Sequence, residues 1–206
     1  MDSPPGTQQE YFQNLYRQSH DPFRNWVNDY EERKRNIALK ILREPQYGRI
    51  FEPGCGNGGL SKELSKRGRR LLAVDWSKEA LEAADRYCAA DNIEFREMNF
   101  PNEIPASLEA GFDLMVVSEL LYYYSEKDLE RFFEVIPKIL KPNGEILLIH
   151  WRGISDHYPS TGDKVHKKFH LQTSVKVLET FEDPNFLISL GRWHDPDQHS
   201  DSRSRL

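Results

Sequence analysis

Several absences narrow the possibilities first. No stretch of the sequence approaches the roughly 18 uninterrupted apolar residues that cross a bilayer, so no membrane-spanning helix is expected. There is no excess of basic charge. The 28 Lys and Arg are outnumbered by 33 Asp and Glu, for a formal charge of -5, which argues against a broad electrostatic footprint for nucleic acid. Small molecules are the expected partners. Cysteine is scarce: Cys55 and Cys88 stand far apart and outside CxxC spacing, so neither a disulfide framework nor a zinc site is indicated. His166 and His170 lie one helical turn apart, and His194 and His199 follow near the end, yet no carboxylate completes a catalytic metal pattern among them. No metal is expected. Residues Met1 to Gly6 lack the basic start and apolar run of a secretion signal, and two free thiols suit a reducing interior, so the cytoplasm is the expected location.

What is present describes one folding unit. The 206 residues show no composition break, 38% are apolar and 12% aromatic, and charges of both signs are interspersed. The expected division is a single domain over 1–193, with front helices in 8–44 and a core in 47–193, followed by a flexible tail over 194–206 that is rich in Asp, Ser, His and Arg. Helical spacing over about Gln8 to Leu42 predicts two front helices separated near Pro22. Strands are predicted at Arg49–Glu52, Leu71–Val74, Ile93–Phe95, Asp113–Val117 and Glu145–Ile149. Helices are predicted at Leu60–Arg67, Ser77–Ala89 and Leu129–Leu140, with Ser77 and Ser125 placed as caps. Five β-α alternations imply a parallel sheet covered on both faces. A short helix near Thr161–Phe169 and a hairpin of Thr173–Phe181 with Phe186–Leu190 then break the alternation.

Glu52-Pro53-Gly54-Cys55-Gly56-Asn57-Gly58-Gly59 follows a predicted strand and opens a helix, the context that makes a glycine pattern a cofactor-site hypothesis. By spacing alone it fits both dinucleotide enzymes and S-adenosylmethionine enzymes. Glu52 would repel a phosphate but tolerates a sulfonium and an ammonium group, so the local charge favours a positive ligand. Asp75, at the end of the second strand, suits two ribose hydroxyls in either case.

The order of elements and three segments resemble the class I methyltransferases: Glu52 to Gly58 as motif I, Leu72 to Asp75 as motif II, and Phe112 to Glu119 as motif IV. A narrower likeness, to the NodS-like nodulation N-methyltransferases, is carried by Asp21-Pro22-Phe23, Tyr30 to Lys34, Phe51 to Cys55, Ser118 to Tyr123, His150-Trp151-Arg152 and Thr161 to His166. Phe23 and Asp29 depart from that pattern. The resemblance implies a Rossmann-like α/β fold: a seven-stranded, mostly parallel sheet with an antiparallel last strand and helices on both faces. It also implies S-adenosyl-L-methionine as methyl donor, S-adenosyl-L-homocysteine as product, and a small acceptor methylated most readily at nitrogen. Methylation at oxygen or sulfur, a catalytically silent cofactor-binding module and a nicotinamide oxidoreductase are the competing readings.

The candidate cofactor residues are Glu52, Gly54, Gly56, Gly58, Asp75, Trp76, Asn99, Phe100 and Ser118, with Tyr16, Trp26 and Arg33 from a front-helix lid. Glu119 and His150 end the fourth and fifth strands, outside which open α/β sheets bind ligands, and are the candidate catalytic groups for proton handling. Tyr122, Tyr123, Trp151 and Arg152 are the candidate acceptor contacts.

Overall fold

A computed structural model describes residues 8–105, 108 and 111–194. Its front helices are α1 (Gln8–Gln18) and α2 (Asp29–Ile41), followed by β1 (Tyr47–Pro53), α3 (Ser61–Leu64), β2 (Gly68–Asp75), α4 (Lys78–Cys88) and β3 (Ile93–Glu97). Then come β4 (Phe112–Ser118), a 3-10 turn (Leu121–Tyr123), α5 (Glu126–Ile139), β5 (Leu140–Trp151), α6 (Gly162–His170), β6 (Val175–Glu182) and β7 (Phe186–Trp193). The expected tail lies outside the described residues apart from His194, whose N–H donates to the Ser174 carbonyl (2.9 Å).

The strands form one seven-stranded sheet in the order β3-β2-β1-β4-β5-β7-β6. Neighbours from β3 through β5 pair in parallel, and β7 runs antiparallel to both β5 and β6. The parallel part is expected from central strands apolar at consecutive positions, as burial on both faces requires, and the antiparallel last strand from the family resemblance. Phe51, Val74, Met115, Val117, Ile146 and Leu148 enter one core with Phe132, Ile136, Val165 and Phe169 from α5 and α6. Their neighbours Ile50, Ala73, Leu114, Val116, Leu147 and Ile149 enter the other, with Ala38, Ile41, Leu64 and Leu81 from α2, α3 and α4.

Side-chain caps fix the helix starts. Ser77 accepts from Ala80 N–H, Ser125 from Asp128 N–H and Thr161 from Lys164 N–H, each satisfying an otherwise orphaned donor. One detail differs from the reading of the sequence. The run Lys141-Pro142-Asn143-Gly144 reads as a turn into the fifth strand, but it lies within β5 as an irregularity, so that pairing with β4 jumps from Phe112↔Leu140 to Leu114↔Glu145.

Candidate active site

The carboxyl ends of β1, β2, β4 and β5 open onto a cavity of about 420 Å³ roofed by the front helices. At its floor the chain leaves β1 through Gly54, Gly56 and Gly58, all at positive φ. A Cβ at Gly56 would stand 2.7 Å from the Tyr16 hydroxyl, and one at Gly58 would stand 2.8 Å from Cys88 Sγ. Only glycine meets both the backbone angle and the close approach.

Asp75 holds this loop. Its Oδ2 accepts from Gly56 N–H (2.9 Å) and its Oδ1 from Ser77 N–H (2.9 Å), while the side chain still lines the cavity. Burial raises its pKa. Glu52, also on the cavity, is 2% exposed and accepts from the Ser61 hydroxyl (2.6 Å). Burial pushes its carboxyl up to about 8, against the opposing pull of the Ser61 bond.

The link between the front helices is fastened to the same loop. Asn57 Nδ2 donates to the His20 carbonyl (3.0 Å) and to Asp21 Oδ1 (2.8 Å), and Asp21 also accepts from the N–H groups of Asn25 and Trp26. This places Phe12 and Tyr16 of α1 on the cavity, with the Phe12 ring 5.0 Å from Tyr123 and 6.1 Å from Trp76.

The opposite wall is built on Glu119. Its φ of +53° is unusual for a residue with a side chain and turns the carboxylate inward from the end of β4, a strain of the kind that concentrates at functional sites. Oε1 accepts from Lys34 Nζ (2.6 Å), and Oε2 accepts from the Tyr122 hydroxyl (2.7 Å) and Trp151 N–H (2.9 Å). Lys34 Nζ also donates to Glu31 Oε1 (2.8 Å) and lies 5.0 Å from the centre of the Tyr30 ring. Tyr122 stacks on Tyr158, and Tyr123 meets Tyr158 edge-on.

Of the residues singled out from sequence, Tyr16, Glu52, Gly54, Gly56, Asp75, Trp76, Asn99, Phe100, Ser118, Glu119, Tyr122, Tyr123 and Trp151 border this one cavity. Five do not, each for a visible reason. Gly58 faces Ala84 and Cys88 of α4 instead of the cavity. Trp26 stacks on Tyr87 at 4.4 Å outside the loop, with its Nε1–H donated to the Asn57 carbonyl. Arg33 is exposed and pairs with Asp183 (2.7 Å). Arg152 pairs with Asp163 (2.7 Å) and Glu182 (3.5 Å) on the far side of β5.

His150, expected to handle a proton, is fully buried, and both its ring nitrogens are engaged. Nε2 accepts from Leu121 N–H (3.2 Å), and Nδ1 lies 3.1 Å from His166 Nε2. It has no nitrogen to offer an acceptor.

Reading the sequence missed Lys34, Glu31, Arg35 and Tyr158, all on the cavity. A signal for Lys34 existed: it continues the buried stripe of Ala38 and Ile41 at i, i+4 and i+7. Arg35 donates one of its five N–H groups to the Asn25 carbonyl (2.6 Å) and stands near Gly59.

This donor set fits S-adenosylmethionine. Backbone at a glycine cradle, a carboxylate for a diol, a carboxyl group for an ammonium and a guanidinium for a carboxylate all meet in one cavity.

The profile of a methyltransferase domain matches residues 50–144. Nodulation protein S of Azorhizobium caulinodans is 26% identical over 129 residues, covering 62% of this chain. The chain spans 61% of that relative's length and smaller shares of other curated relatives. Among solved structures, a Pseudomonas syringae protein described as a methyltransferase is 33% identical, with a TM-score of 0.69 over 80% of this chain and 99% of its own. The N-methyltransferase NodS of Bradyrhizobium japonicum, solved with S-adenosyl-L-homocysteine, shares the fold at a TM-score of 0.78 and 20% identity, over 91% of this chain and 98% of its own. Fold, glycine loop and these relatives together lead to one conclusion: the chain belongs to the class I S-adenosylmethionine-dependent methyltransferases.

Proposed function

We propose that this protein methylates a small amine. The observation that carries the reading is the charge of the cavity wall. Among the described residues, Glu31, Glu52, Asp75, Glu119 and Asp128 line it, against Lys34 and Arg35. With Glu52 largely protonated near neutrality, four anionic groups still face two cations. Such a wall attracts a cationic acceptor and repels a carboxylate or phosphate. NodS, which shares this fold, is an N-methyltransferase.

In this reading Gly54, Gly56, Asp75, Glu52, Trp76, Asn99, Phe100 and Ser118 hold S-adenosylmethionine, with Tyr16 as the lid residue over the loop. Arg35 takes the place expected of Arg33, because its guanidinium borders the cavity whereas that of Arg33 pairs with Asp183. When bound, the cofactor supplies a methyl group already activated on sulfur. What remains for the chain is to hold the acceptor nitrogen in line and exclude water.

Glu119 does the orienting. A carboxylate offers roughly four lone-pair sites. Lys34, Tyr122 and Trp151 occupy three, which leaves one for an acceptor N–H. Tyr122, Tyr123 and Tyr158 wall the remaining space, and their faces favour a cationic amine, which must pass one proton through Glu119 to solvent before its nitrogen has the lone pair that takes the methyl group. His150 takes no proton from the acceptor in this mechanism.

Calorimetry tests the reading. With S-adenosylhomocysteine saturating, an arylalkylamine should bind, and the arylalkanoate of the same carbon skeleton should not. Binding of the anion in preference to the amine would contradict it.

A further inference from the structure

Behind the Tyr122 wall, three histidines and one serine are linked from the active site to the exposed side of α6. Leu121 N–H meets His150 Nε2 at 3.2 Å, His150 Nδ1 meets His166 Nε2 at 3.1 Å, His166 Nδ1 meets Ser189 Oγ at 2.7 Å, and Ser189 Oγ meets His170 Nε2 at 2.9 Å. His150 and Ser189 are fully buried and His166 is 3% exposed, whereas His170 is exposed at the far end.

One backbone amide decides every proton in this chain. Leu121 N–H can only donate, so His150 Nε2 is an acceptor and its proton sits on Nδ1. That proton is donated to His166 Nε2, which puts the His166 proton on Nδ1, donated to Ser189 Oγ. The Ser189 hydroxyl then donates to His170 Nε2. Both buried rings are neutral. Burial, with Lys34 nearby, drops His150 to about 3, and burial with His150 and His170 beside it drops His166 to about 2.

We propose that this one-way hydrogen-bond chain is a positioning device: it anchors the Leu121–Tyr123 turn, and through the Tyr122 hydroxyl it sets the Glu119 carboxylate for the acceptor. His150 and His166 are positioning residues here and touch no reacting atom. The proposal rests on the reading that Glu119 receives the acceptor. The geometry favours it because Leu121 N–H lies at the first residue of the turn that carries Tyr122, and Tyr122 donates directly to Glu119 at 2.7 Å.

Two measurements test it. In long-range nitrogen–proton NMR spectra of the labelled protein, His150 and His166 should both carry the proton on Nδ1, unchanged between about pH 8 and pH 5. A proton on Nε2 of either ring, or an imidazolium in that range, overturns the proposal without any assay of activity. Second, His166→Phe should lower kcat/KM for the acceptor on the order of 10- to 100-fold, the cost of misplacing an oriented reactant. Its Kd for S-adenosylhomocysteine should stay within about two-fold, and His166→Gln, which restores an acceptor and a donor, should recover part of the loss. Wild-type acceptor kinetics in His166→Phe, or a cofactor Kd that rises in step, overturns the positioning role. Glu119→Gln separates the two ideas: if it also leaves acceptor kinetics unchanged, the assignment of Glu119 fails, whereas a silent His166→Phe beside a crippled Glu119→Gln removes only the chain. Should His166→Phe fail to fold, the NMR result on the wild type decides.

Discussion

Lys34 Nζ lies 2.6 Å from Glu119 Oε1 and 2.8 Å from Glu31 Oε1, so one buried ammonium holds two carboxylates on the acceptor side of the cavity. Burial alone would pull the Lys34 pKa down, but Glu119 and Glu31 outweigh it, and the net shift is upward. Lys34→Met keeps most of the volume and leaves the two carboxylates facing each other. Unfolding in urea should show a loss of about 2 kcal/mol, below the usual cost of breaking a fully buried pair because both carboxylates retain some contact with water. The loss should shrink as pH falls through the carboxylate range, where protonation relieves the repulsion. A loss that does not vary with pH would contradict the charge argument.

Glu52 makes cofactor binding depend on pH. Its carboxyl titrates at about 8 in the free protein, and a cationic ligand favours the ionised form. Affinity for S-adenosylhomocysteine, whose ammonium remains, should therefore fall by up to about ten-fold per unit as pH drops below 8, and level off above it. Glu52→Gln should flatten the profile and weaken binding most at high pH. Titration calorimetry across this range checks both outcomes.

The same shift has a cost for stability. An unfolded carboxyl ionises in its ordinary range near 4.5, while the folded one resists until about 8. The free protein is thus favoured below the ordinary range and loses stability as pH rises towards 8, after which the loss is constant. Glu52→Gln should remove that slope in urea unfolding while impairing cofactor binding, so the position trades stability against function. Equal slopes in both proteins would show that the carboxyl is not held neutral.

Gly56 tests the cradle. Alanine there must adopt φ near +54° and press its Cβ against the Tyr16 hydroxyl. Gly56→Ala should cost on the order of 1 to 2 kcal/mol of stability and weaken S-adenosylhomocysteine binding at least ten-fold. Adding Tyr16→Phe to Gly56→Ala removes the clashing oxygen and should recover part of the stability but not the backbone strain. Thermal unfolding of the single and double variants separates the two contributions.

How much of this was legible depended on the kind of signal. Gly54, Gly56 and Asp75 could be placed on the cavity because their positions follow from spacing along one strand-loop-helix unit and from a βα repeat. The sheet could be read because runs such as Leu114 to Val117 are apolar on both faces. Arg33 and Lys34 show where such reading stops. Adjacent helix residues point about 100° apart, and only the docking of α2 decides that Arg33 turns to Asp183 while Lys34 turns to Glu119. A lysine in the second turn of a polar helix looks like a solvated charge until its partner, 85 residues away in sequence, is known. His150 failed for a related reason. Its position at the end of β5 was correct, but whether its ring faces the cavity or the core depended on His166 and Ser189, which lie on α6 and β7. Trp26 likewise found Tyr87 on α4 instead of a ligand.

The identity of the methylated atom is the most direct test of the whole account. Turnover with a donor carrying a carbon-13 methyl group, on a panel of amines, alcohols and thiols of matched skeleton, should yield a product whose labelled methyl resonance belongs to an N-methyl group. Glu119→Gln should reduce that signal by on the order of 100-fold while retaining cofactor binding. Label recovered on oxygen or sulfur, with the amines untouched, would contradict it.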